Sequence, residues 1–258
     1  MKNVLKSPEP EELKHYRERY SSQFRRWTGK KSKNGKKEKG LTNNSETLNA
    51  IRDTLASDQK GLCAYCEMEL HEKNRSVEHF IPRNQSTKEN NHDLDWQNML
   101  AICLPPGGMK DDDLENPQLL KDSPCCGKKK DGDIPDSRLL NPLNLPTLRL
   151  FKFSSKDGEI RPDEKACEDS GIPIENVQFT IDTLELNVQR LKDQRLAVID
   201  EINKEPDDET IDINDLEEKI AAEYFGNGID NWPRFFTTIR WVLGAGAERH
   251  LMNISYSG

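Results

Sequence analysis

Long apolar runs are missing from this sequence. No stretch of about 18 apolar residues occurs, so nothing in it reads as a membrane-spanning helix. The opening residues, MKNVLKSPEPEELKHYRERY, lack the apolar core of a secretory leader, and the expected setting is the cytoplasm. Hydrophobic residues make up 33% of the 258, no more than the charged ones, which argues for a small core and several solvated segments. That length allows one large domain or two modest ones. No internal repeat is present. There is no P-loop either, so the chain cannot supply its own ATP control. Histidine is rare, and four of the five fall before residue 93.

Charge is present in quantity but unevenly spread. The net charge of -8 argues against a nucleic-acid binder that uses its whole surface. Yet Arg25 to Lys39, RRWTGKKSKNGKKEK, holds eight basic residues and one acid, while Asp200 to Glu218 holds ten acids and one base. This split fits a local basic face for a polyanion, with a solvated acidic surface elsewhere.

Six cysteines stand at 63, 66, 103, 125, 126 and 167. A CxxC pair followed by further cysteines in a reducing compartment favours a metal over disulfides. Cys63 and Cys66 can turn both sulfurs toward one zinc ion, and Cys103 ends an expected strand. Either Cys125 or Cys126 completes the set. Cys126 is favoured, because Gly127-Lys128-Lys129-Lys130 after it resembles the start of a basic helix. Cys167 stands apart as a plain thiol. A thiol oxidoreductase using CAYC is a poor reading, since no βαβ unit surrounds it.

The spacing of apolar residues predicts a helix over 9–28, on Leu13, Tyr16, Tyr20, Phe24 and Trp27, and a second over Glu46 to Ser57 with Ser45 as N-cap. RSVEHF and NMLAIC read as strands, and a hairpin is expected around Asp157-Gly158. Helices follow over Asp182 to Asn203, with Asp182 and Glu185 as a capping box, and over Asn231 to Leu243. Three regions are expected. Residues 1–60 form a helical arm with a basic loop, 61–160 a metal-stapled core, and 161–258 a helical region for partner docking.

In order, CxxC, Glu78-His79 with a proline behind, WQNML, Cys103 and Cys126-Gly-Lys-Lys-Lys resemble the HNH endonucleases over about residues 61 to 131. GLCAYCE, EHFIP, LLNP with a following Phe-x-Phe, and IDTLELNVQRLKDQR extend the likeness to the PtuB type, found in Septu and retron-associated anti-phage defence. The resemblance implies an α+β fold, a ββα-metal core with a four-cysteine zinc staple flanked by helices. It implies His79 as general base, Glu78 as ligand of a catalytic Mg²⁺ or Mn²⁺, and Asn98 in the second strand as the residue that orients the His-bearing loop. An imidazole titrates near working pH and a hard cation prefers oxygen, so the residue types suit those roles. Lys128, Lys129 and Lys130 are candidates for phosphate contact. The implied partners are an SMC-like ATPase of the PtuA type, and a retron reverse transcriptase with its RNA and DNA. DNA and transfer RNA both stand as substrates.

One departure matters. The second metal ligand that many HNH proteins carry near the last cysteine is absent from CCGKKKDGD; Asp131, Asp133 and Asn141 are the substitutes in reach. A catalytically degenerate zinc-binding adaptor for nucleic acid or the ATPase is therefore the competing class. His71 and His92, in polar loop-like sequence, are expected at the surface.

Overall fold

A computed structural model describes residues 1–20, 26–29, 39–72, 74–104, 124–130, 135–204, 213–228 and 231–257. Most of the basic run, residues 205–212 of the acidic run, Asp131 and Asp133 lie outside these residues.

The centre is a two-stranded antiparallel sheet. β1 (Arg75–His79) pairs with β2 (Met99–Cys103), Arg75 facing Cys103 and His79 facing Met99. All five residues of β2 are buried, as a run of five apolar side chains requires of a central strand. Its far side is closed by a side chain. The buried Gln59 amide accepts from Ala101 N–H and donates to Ala101 C=O, both at 2.8 Å, as a neighbouring strand would. Gln59 sits at the end of α2 (Ser45–Asp58), which buries Ile51 and Leu55 and is capped by Asn44, one residue earlier than expected.

α1 covers Glu11–Arg19 and is shorter than its apolar stripe suggested. Trp27 has left the helix. Its N–H donates to Asp93 and its C=O accepts from Thr42, which pins 26–28 against 40–42. A side chain at Gly40 would collide with the backbone of Thr28 and Gly29 at 2.4 Å, so this close approach requires glycine.

The short α3 (Gly127–Lys130) follows Cys126. The expected hairpin is present as β3 (Phe151–Phe153) and β4 (Ile160–Pro162). The helices after it are α4 (Glu164–Ser170), α5 (Ile174–Thr183), α6 (Gln189–Ile202), α7 (Ile213–Phe225), α8 (Phe236–Val242) and α9 (Gly244–Asn253). The single helix expected over 182–203 is thus two, broken where Glu185 takes a positive φ of 49°. Asp182 accepts from Gln178 and caps nothing in α6. The break frees two carbonyls. Leu184 O accepts from Cys126 N–H, and Leu186 O accepts from the buried Arg195 guanidinium. Residues 231–235 are likewise not helical: Trp232 N–H and Phe235 N–H donate to Lys60 and Glu67.

One core runs through all three sequence regions, from Leu13 through Tyr65 and Met99 to Phe236 and Leu251. The boundaries at 60 and 160 do not interrupt it. Among the described residues no helix is long and apolar enough to cross a membrane.

The N-terminal segment lies along β2. Lys6 Nζ donates to Met99 O at 2.9 Å and to Trp96 O, and burial holds its pKa down at about 7. Between about pH 7 and the free-lysine value the unfolded chain carries a proton at Lys6 that the folded chain lacks, so stability rises with pH across that window. Chemical denaturation at pH 7 and pH 9 should show the wild type gaining stability relative to Lys6→Met.

Candidate active site

The thiol cluster comes first, because it joins the elements that carry everything else. Cys63 and Cys66 lie on the turn after α2, Cys103 ends β2 and Cys126 begins α3. Their four sulfurs are buried and lie within 4.8 Å of one another. The Cys63–Cys126, Cys66–Cys103 and Cys103–Cys126 separations are 3.9, 3.6 and 4.0 Å. Four sulfurs at about 2.3 Å from a tetrahedral zinc would stand about 3.8 Å apart, so this set could hold the ion. The donor set fits in chemistry as well. Four thiolates this close repel one another unless a cation lies among them. Cys126 is held at a positive φ of 58°, a conformation disfavoured for a side chain with a Cβ. Cys125 is not in this group of four, although its sulfur lies 3.5 Å from that of Cys126; it accepts from Arg190 Nη2 at 2.8 Å.

The acid-imidazole pair sits at the end of β1. His79 is buried, and its Nε2 lies 3.0 Å from the Asp93 carbonyl oxygen. A carbonyl only accepts, so Nε2 carries the proton and the other ring nitrogen of the neutral imidazole keeps its lone pair. Burial holds the His79 pKa down at about 4, so the ring is neutral at neutral pH. The Trp27 ring meets the imidazole edge-on, with centroids 4.8 Å apart. Asp93 fastens this arrangement. Its carboxylate accepts from Trp27 N–H and Ser86 Oγ, both at 2.7 Å.

Asn98 lies on a 3₁₀ turn (Trp96–Asn98) just before β2, one step short of the strand in which it was expected. Its Oδ1 accepts from Ile81 N–H at 2.7 Å. Its Nδ2 donates to the carbonyls of Ile81 and His92 at 2.9 Å. It therefore ties the chain leaving His79 to the chain approaching Asp93. His92 is half-buried, not at the surface as expected, because Asn98 holds its carbonyl; His71 is exposed.

Glu78 and His79 line an open cavity of about 500 Å³, together with Trp27, Arg83, Gly127 and Lys128. Burial pushes the Glu78 carboxyl up, against the opposing pull of Lys130. Glu78 Oε1 is buried without a hydrogen bond of good alignment, although the Lys130 ammonium is 2.9 Å away. A carboxylate oxygen on a cavity wall, with a second lone pair beyond the one that faces Lys130, fits a hard cation.

The three lysines divide. Lys128 lines the cavity and Lys129 pairs at the surface with Glu185. Lys130 does not face solvent, as its place in a lysine run suggested; its side chain is 2% exposed, because the helical turn points it back beneath β1. Asn141 is not among the residues lining this cavity. Its Oδ1 caps the Pro142–Asn144 turn, and it borders a separate cavity with Phe80, Ile81 and Leu139.

No family model matches the chain. An Escherichia coli protein named "Retron Ec83 putative HNH endonuclease" is 32% identical over 214 residues, 75% of this chain and 78% of that protein. The chain belongs to the HNH endonuclease family.

Structural zinc supplies about 10 kcal/mol or more of folding free energy in small modules, so losing one ligand should unfold this one. Elemental analysis should return one zinc per chain for the wild type and Cys125→Ser, and none for Cys126→Ser. Thermal melting should rank them the same way. A Cys125→Ser protein without zinc, beside a loaded Cys126→Ser, would reverse the assignment of the two neighbours.

Proposed function

We propose that this protein is a metal-dependent HNH endonuclease of the PtuB type, hydrolysing phosphodiester bonds as the effector of an anti-phage defence system. The observation that carries the reading is the Asp93-anchored tautomer of His79, set beside Glu78 on a cavity with basic walls. His79 takes the proton from an attacking water at its lone-pair nitrogen, and the Asp93 carbonyl holds the ring while it does so. Asn98 fixes both chain segments on which this depends. Arg83 and Lys128 draw the phosphate in. Glu78 holds a Mg²⁺ or Mn²⁺, which when bound offsets charge on the phosphate. The zinc on Cys63, Cys66, Cys103 and Cys126 is structural. The retron link of the Escherichia coli relative supports a defence setting, in which an SMC-like ATPase of the PtuA type supplies control and a retron reverse transcriptase with its nucleic acid is a further partner.

A zinc-stapled adaptor without catalysis is the second reading. The Glu78–Lys130 ion pair favours it, since it occupies the carboxylate expected to take the metal.

Cleavage of plasmid DNA and of tRNA, with and without Mn²⁺, separates the two. His79→Ala should lower cleavage by about 100- to 10,000-fold while zinc content and nucleic-acid binding stay intact. Asn98→Ala should lose less, because it misplaces the base without deleting it, and His71→Ala should match the wild type. Wild-type rates in His79→Ala would sink the enzyme reading.

A further inference from the structure

Lys130 is the residue whose position the family resemblance does not explain. Its Nζ lies 2.9 Å from Glu78 Oε1, 3.0 Å from Phe80 O and 3.2 Å from His79 O. An ammonium has three N–H donors, so three acceptors at this range occupy it fully and leave nothing to offer a phosphate in solvent. The opposite side of Glu78 is closed by Gly127, where a Cβ would stand 2.6 Å from Glu78 Oε2. The carboxylate is thus wedged between the first and last residues of α3. Lys130 is its counter-ion, 2.9 Å from Oε1. An oxygen compensated in charge by one cation, with a second lone pair unused, suits the exchange of that cation for another.

We propose that Lys130 is a positioning residue whose ammonium holds the cation seat of Glu78 and competes there with the divalent metal. The proposal rests on the reading of Glu78 as a metal ligand. A divalent ion on Oε1 and the ammonium at its present place would repel each other at close range in a part-buried site, so the metal enters only as Lys130 withdraws. The resting protein therefore binds metal weakly. A nucleic-acid phosphate entering the cavity offers the displaced ammonium a new partner, so metal and substrate bind cooperatively.

Mn²⁺ binding to the zinc-loaded full-length chain, followed by electron paramagnetic resonance of the free ion, tests this without reference to activity. Lys130→Gln, which keeps polar donors but removes the charge, and Lys130→Met should each bind one Mn²⁺ about tenfold or more tightly than the wild type. Lys130→Arg should stay as weak as the wild type. Adding Glu78→Gln to Lys130→Gln should abolish the site. Zinc content and circular dichroism identify any variant that fails to fold, and the Gln variant decides if the Met variant does. Unchanged or weaker Mn²⁺ binding in folded Lys130→Gln, with the site still lost in Glu78→Gln, would overturn the competition and leave Glu78 as a ligand. Absence of an Mn²⁺ site in every variant would overturn both.

Discussion

Four buried sulfurs within 4.8 Å of one another are the constraint on which the remainder of this molecule rests. They come from three places in the chain that have no other reason to meet: a turn, a strand end and the start of a one-turn helix. A four-residue helix has no stability of its own. It is fixed at the residue just before it by the Cys126 thiol and by the Cys126 N–H on Leu184 O. Only then do Gly127 and Lys130 close on Glu78. The acid-imidazole pocket is thus built on the thiol cluster, although no cysteine lines it.

The later part of the chain contributes to this centre through backbone and buried charge. Glu67, one residue after Cys66, is held at a positive φ of 61° and is fully enclosed. Its carboxylate accepts from Thr237 N–H at 2.8 Å and from the Thr237 hydroxyl, and it pairs with the Met1 amino group. These contacts offset the desolvation of a buried charge and the strain of its backbone. Arg190 and Arg195 lie close enough to the thiols to balance part of their charge. The C-terminal helices therefore pack directly on the turn that carries Cys63 and Cys66.

Much of this was legible in the residues, and what was not has identifiable causes. The group of four cysteines could be read because ligand spacing is a local property of CxxC and further thiols follow at the end of a strand and before a basic turn. That Glu78 and His79 share one cavity, with Asn98 tied to the chain that leaves them, followed residue order. Lys130 could not: in a run of three lysines only the phase of a single helical turn decides which one is buried. Asp93 was hidden in NNHDLD, where each polar side chain is an equal candidate for a turn. Trp27 continued an apolar stripe at helical spacing, but its contact with the His79 ring competed with the helix and won. Residues 184–188 continued such a stripe too, and were diverted because Cys126 and Arg195 needed carbonyl acceptors.

The Gln59 amide has a further consequence. A strand flanked on one side by a single partner normally offers its other side to any passing backbone, which is how sheets grow by accretion between molecules. Here the middle of β2 is closed on that side. Ala101 N–H is taken by Gln59 Oε1, and Ala101 C=O accepts from both Gln59 Nε2 and Ala64 N–H. A side chain and one turn of loop terminate the ladder at its centre. Two strands can therefore carry a charged cleft without becoming a template for their own polymerisation.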